Sequence, residues 1–272
     1  MSLAAARSRP LALARVTLVQ HRRALLWWAF AIAVTAVFYA SLYPSVRDSG
    51  DTFDEYLDQL PEAFRAIIGE DLTSPAGYLW SQLFSSMGPI VFLVYSIGVG
   101  ARAIAGDEES GALDLVLSTP VRRATVLRDR ALAMIAGTVV LSTVLAVALA
   151  ITGPPFDMSV PLGDLVLVHV MQTLLAIAFG SIALAIGATT GNRALAIGLT
   201  SAYAVVSYLV WAIGGSVDVL ARALPLSAFR WFAEPQPLSE GTHLVNVLVL
   251  VGITAAAYAV AHVSLQRRDL GT

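Results

Sequence analysis

Six stretches of the chain contain no Asp, Glu, Lys or Arg: residues 24–46, 72–101, 131–156, 165–192, 194–217 and 241–266. A helix needs about 20 largely apolar residues to cross the hydrocarbon core of a bilayer, and each stretch meets that length. In lipid the peptide groups find no water, so each span must close its own hydrogen bonds as a helix. Strands of a membrane barrel would be shorter and would alternate apolar with polar residues; none of the six does. Composition agrees, with 57% hydrophobic and 13% charged residues among 272, where a soluble domain carries about 25% charge. The sequence thus predicts an all-α polytopic membrane protein. It forms one domain over 1–272, with six transmembrane helices at 24–44, 77–101, 131–152, 165–188, 194–216 and 243–264. Arg22 and Arg23 ahead of the first span give it some likeness to a secretory leader. Its apolar run is long for a leader and starts only at residue 24, so it reads as a retained span.

Arginine sets the orientation, because cytoplasmic loops are enriched in basic residues. All 17 basic side chains are arginine. Thirteen fall on one side: Arg7, Arg9, Arg15, Arg22 and Arg23 before span one, Arg102, Arg122, Arg123, Arg128 and Arg130 after span two, Arg193, Arg267 and Arg268. Arg47, Arg65, Arg222 and Arg230 fall on the other. Both termini are therefore expected in the cytoplasm.

The connecting segments are patterned. In the external segment 47–71, Phe53, Tyr56, Leu57, Leu60, Phe64, Ile67 and Ile68 recur at helical spacing, and Pro61 divides the pattern into two short amphipathic helices. They form either a lid on the outer ends of the spans or a gate and partner-docking surface. The third external loop carries Leu224, Pro225, Phe229, Trp231, Phe232, Pro235 and Pro237. Aromatics suit the membrane boundary, and the prolines suggest a broken or half-inserted helix with an anchoring role. The largest cytoplasmic segment holds Asp107, Glu108 and Glu109, placed there as the N-terminal turn of a helix by the dipole. Leu113, Val116 and Leu117 share one face of that helix, and Thr119–Pro120 stops it. Its leucines either tuck under the spans or are offered to a partner.

Much chemistry is excluded. Cysteine is absent, which removes disulfides, thiolate nucleophiles and cysteine-ligated metals. Lysine is absent too, which removes the P-loop lysine and any Schiff base. No His-Glu-x-x-His occurs. His21, His169, His243 and His262 show no metal-ligand spacing. No catalytic residue, metal site or bound cofactor is expected on this chain, and no nucleic-acid partner. Ion-driven carriers need ionisable groups inside their spans. Here the apolar cores hold none apart from His169, which either packs structurally or faces a pathway. Energy is therefore expected from outside the chain. A secondary carrier, or a membrane scaffold or sensor, remains the rival class. Hydroxyls and amides in spans two and five, among them Gln82, Ser86, Tyr203 and Ser207, either glue helices or line a path. Gly180, Ser181, Ala185 and Gly187 in span four suit close helix approach.

The run from Gly106 through Asp107, Glu108, Glu109, Ser110, Gly111, Ala112, Leu113 and Leu117 to Thr119–Pro120, followed by Arg122 and Arg123, closely resembles the ABC-2-type transporter permeases of bacteria. The six-span layout, cytoplasmic termini and substantial first external loop resemble them as well. The resemblance implies a type V exporter-like fold and a multi-pass protein of the bacterial plasma membrane. It implies half of an ATP-driven exporter for an amphipathic or hydrophobic substrate. It also implies a second permease half, identical or not, and two copies of a separate ATPase subunit that carries ATP and Mg. In that family the 106–120 segment is a coupling helix seated in the ATPase. Carried over, Glu108, Glu109, Gly111, Leu113, Leu117 and Pro120 are the candidate contacts. The family's cleft between halves makes Gln82, Ser86, Tyr203 and Ser207 candidates for the substrate pathway. An N-terminal interfacial helix over 1–23 is implied, though Leu11 and Leu18 share a face with Arg15 and Arg22.

Overall fold

The computed structural model describes residues 12–49, 73–113, 121–215 and 217–268. Helix α1 (Ala12–Gln20) turns at His21 into α2 (Arg22–Arg47). A short α3 (Pro75–Leu79) winds into a π-turn over Trp80–Phe84, and α4 (Met87–Ala101) continues through a second π-turn, Arg102–Gly106, into the helical turn Asp107–Glu109. Then come α5 (Arg123–Thr152), α6 (Leu162–Thr190), α7 (Arg193–Gly214), the short α8 (Asp218–Ala221) and α9 (Ala228–Ala233), and α10 (Leu244–Arg267). Helices α2, α4 with its continuation, α5, α6, α7 and α10 are each long and apolar enough to cross a membrane. No strand occurs among the described residues. The expected external helices lie, from residue 50 on, outside the described residues, as do residues 1–11 of the expected N-terminal helix.

Helix α6 is the axis of the bundle. It packs along α4 on one side and α10 on the other, with α5 and α7 also against it. Across its most apolar window 72% of residues are buried, against 17% in α2 and α10. Such contact depends on small side chains, since apolar burial gives helices no advantage over lipid and close packing must supply the attraction. Gly100 of α4 faces Gly180 of α6 so closely that a Cβ on Gly100 would overlap the Gly180 carbonyl oxygen. Two turns further along α6, a Cβ on Gly187 would touch the Ala101 carbonyl oxygen and the Ala105 Cβ at 3.4 Å.

Span two is not the single helix expected over 77–101. Ser86, at φ −143° and ψ −67°, leaves helical geometry. Pro89 explains the restart. A proline has no N–H and its ring clashes with the carbonyl four residues back, so it is tolerated in a first turn. Starting α4 at Met87 puts Pro89 there. The third and fourth spans run longer than expected, because a charge-free count marks the hydrocarbon layer and not the helix end. Arg123, Arg128, Asp129 and Arg130 thus belong to α5.

The proline-rich loop after α7 folds back inward. Ala228, Phe229, Phe232 and Ala233 of α9 are buried, and α9 packs against α6, α7 and α10. Ser227 caps α9, its hydroxyl accepting from the Arg230 N–H at 3.2 Å.

The Gly100–Gly180 crossing makes a stability prediction. Gly100→Ala forces α4 and α6 apart, an overpacking cost of about 1–3 kcal/mol, and lowers the unfolding temperature in detergent. Gly252→Ala in α10, where an added Cβ meets nothing within 4 Å, leaves it unchanged.

Candidate functional site

The foot of span two gathers the charges that the spans exclude. The helical run that begins at Met87 ends at Glu109. Gly111, at φ +72°, takes the left-handed conformation that closes a helix, and its N–H donates to the Glu108 carbonyl at 3.0 Å. Such a C-terminal stop favours glycine because a Cβ disfavours that conformation. The acids are therefore not the start of a helix, as the sequence suggested, but the end of one. The macrodipole opposes them there by about 0.3–1 kcal/mol each, so other groups must offset it.

Three such groups are present. Successive helical residues point about 100° apart, so three adjacent acids reach three different neighbours. Asp107 forms an ion pair with Arg130 of α5. Arg130 also donates to the Thr17 hydroxyl of α1 at 2.8 Å. Glu108 accepts from Arg268, just past α10, at 2.6 Å. Arg268 in turn donates to the Ala188 carbonyl near the end of α6 at 3.2 Å, and its own carbonyl accepts from Arg123 of α5 at 2.6 Å. Glu109 accepts from the Arg193 N–H at 2.9 Å, the first residue of α7. That helix start is already capped by Asn192, which accepts from the Leu195 N–H at 2.9 Å. A carboxylate there meets both unpaired donors and the positive dipole end.

Gly191 leaves room for this arrangement. It closes α6 at φ +66°, and a Cβ there would stand 2.9 Å from the Glu108 carboxylate. Beyond Gly111 the chain dives inward. Leu113 is 1% exposed and packs in a cluster with Ile104, Val126, Leu127, Leu184 and Leu265. Of the coupling candidates, Glu108, Glu109 and Leu113 thus face their own chain, Gly111 makes the turn, and Leu117 and Pro120 lie outside the described residues. The sequence reading missed the partners Arg130, Asn192, Arg193 and Arg268. The surplus of arginine on this side was the available signal, read above for orientation alone.

The pathway candidates divide. Gln82 is exposed, and Ser86 is half-buried at the break in span two. Tyr203 donates to the Leu226 carbonyl at 3.0 Å. Ser207 is buried, bonded to Ser227 at 3.2 Å, and accepts from the Phe229 N–H at 3.3 Å. Both therefore hold the inward-folded α9 segment. His169 is buried, its Nδ1 2.6 Å from the Leu165 carbonyl and its ring edge-on to Phe84. Among the described residues no cluster of His, Cys, Asp or Glu could hold a metal ion.

A family model described as ABC-2 family transporter protein matches residues 11–270, a range that contains the whole of this ionic clamp. No curated protein matches the chain. The clamp makes its own prediction. Glu108→Gln and Arg268→Gln each lower the unfolding temperature in detergent, and the double variant costs less than the two together. The coupling expected for a pair about three-quarters buried is about 1 kcal/mol, and additive losses in that cycle would show that the pair contributes nothing.

Proposed function

Because the chain belongs to the ABC-2 transporter family, we propose that this permease component of an ABC transporter is one membrane half of an ATP-driven exporter. It is a multi-pass plasma-membrane protein with six membrane-capable helices. ATP and Mg reside on a separate ATPase subunit, present in two copies, and a second permease half completes the path. Both termini face the cytoplasm, with the 106–120 segment seated on the ATPase. Leu117 and Pro120 are the proposed contacts, and Glu108, Glu109, Gly111 and Leu113 transmit the motion. The cargo is an amphipathic or hydrophobic molecule moved outward.

One observation carries this reading: three consecutive carboxylates tie the foot of span two to α5, to the end of α10 and to the start of α7. A displacement of the coupling segment is thereby delivered to four spans at once. Without such links the segment could move while the bundle stayed still. A two-state transporter requires contacts that differ between its states, and a rigid link lets nucleotide-dependent contacts on the ATPase bias the whole half. Gln82 and Ser86 remain the proposed pathway residues. Tyr203 and Ser207 enter it as positioning residues, through the α9 segment they hold.

The absence of cysteine gives a clean test. Ser118→Cys is expected to react with a charged maleimide in the isolated permease from the cytoplasmic side only, and to be protected when the ATPase is bound. Labelling from outside, or equal labelling in the complex, overturns the assignment. Glu109→Ala is expected to leave the complex assembled while the permease's effect on the ATPase rate falls about fivefold, the lower end of a typical coupling between sites.

A further inference from the structure

Helices α2 and α4 both approach α5, and between them runs an open seam bridged by the edge-on contact of Trp28 with Tyr95 at 5.9 Å. Below that contact, on the side of α1, lies a cavity of about 220 Å³. Its floor is made by buried Ala103 and Ala133, and its rim by exposed His21, Ala24, Val94 and Arg102. Above the contact is a smaller apolar pocket between Ile32 of α2, Val91 of α4 and Leu145 of α5.

We propose that this seam holds one anionic phospholipid of the leaflet that carries α1, its phosphate on Arg102 and His21 and one acyl chain lying along the outside of the seam, over Trp28 and Tyr95 toward Val91. The charge balance selects an anion. Among the described residues the only acid lining the cavity is Asp107, which pairs with Arg130 and also faces His21. Arg102 has no hydrogen bond or ion pair with another described residue. Arg22 and Arg23 stand next to His21 on the exposed side. Arg102 is also the first charge after the apolar run of span two, which is the depth of a phosphate. The length fits as well. From Arg102 to Val91 the helix rises about 16 Å at 1.5 Å per residue, close to the ~15 Å of one leaflet, half of a bilayer core. The π-turn at Arg102–Gly106 marks the same place, and π-turns often occur at functional positions. This inference rests on the chain lying in a bilayer and does not depend on the ATPase partner.

The test is lipid retention by the full-length chain, purified from nanodiscs of phosphatidylcholine with a minor fraction of phosphatidylglycerol and weighed by native mass spectrometry. One phosphatidylglycerol per chain is expected to be retained in preference to phosphatidylcholine. Arg102→Gln is expected to reduce that retention about fivefold, as one basic residue at a membrane surface would. Gly98→Leu fills the lower cavity from a position where an added Cβ meets nothing within 4 Å, and is expected to abolish it while the chain stays folded. Should Gly98→Leu fail to fold, brominated acyl chains in the wild type are expected to quench a component of tryptophan fluorescence that Trp28→Phe removes. Equal retention of the two lipids, unchanged retention in Arg102→Gln, or inorganic phosphate displacing the bound lipid would each overturn the proposal.

Discussion

A peptide group or charge left unsatisfied in lipid costs several kcal/mol, and the rest of this structure follows from avoiding that cost. It explains why the six spans are helices and why an arginine stands at an end of α2, α5, α7 and α10. It also explains why the break in span two is covered by protein on one side. The break at Ser86 exposes backbone that a continuous helix would have paired. On one side Phe84 meets His169 of α6 at 5.2 Å, and Trp80 stacks on Phe232 of α9 at 5.8 Å. Trp80, Phe84 and Phe232 are all buried. The inward fold of α9 and the break in span two are thus complementary. The second is tolerable in a membrane because the first covers it.

The same constraint governs the acids. Asp107, Glu108 and Glu109 follow directly on an apolar span and sit at the unfavourable end of their own helix. Each is matched by a donor from another element, and the three donors come from three elements. Surface ion pairs contribute little because water screens them and both side chains lose freedom. Here Asp107 and Glu108 are about three-quarters buried, with side-chain exposures of 23% and 26%. Removing one partner strands the other in a poorly hydrated place. Mechanical linkage between α4, α5, α7 and α10 is therefore a direct consequence of placing acids at this depth.

Much of the fold was legible because the strongest signals were local. Length without charge located six candidate spans, and the small residues of α6 announced a close helix contact, whose partner, α4, only the structure supplies. Clustered prolines and aromatics suggested a broken or half-inserted helix after α7, where the structure has the short, inward-folded α9. The break in span two was carried by Pro89, but a charge-free count cannot see it, since proline is as uncharged as leucine. The site was less legible. Sequence showed three acids and many arginines, yet the pairing of Glu108 with Arg268 spans most of the chain, and only the bundle's packing decides it. The dipole rule placed the acids at a helix start. It failed because the start that stabilises Glu109 belongs to α7, remote in sequence. Leu113 illustrates the same difficulty: an apolar residue at helical spacing serves a partner or its own core, and periodicity does not distinguish them.

Asp107 and Arg130 belong to both the clamp and the seam. They join α4 to α5, and they also line the cavity between α1, α2 and α4. An anion drawn to Arg102 would stand close to that pair in a region of low dielectric, where charges act on one another more strongly than in water. It would repel Asp107 and attract Arg130, and so alter the ion pair that joins the foot of span two to α5. The Thr17 contact of Arg130 extends this to α1. Whatever occupies the seam therefore bears on how firmly span two is held to its neighbours. The lipid around such a protein then acts as one of its parts, through a single ion pair.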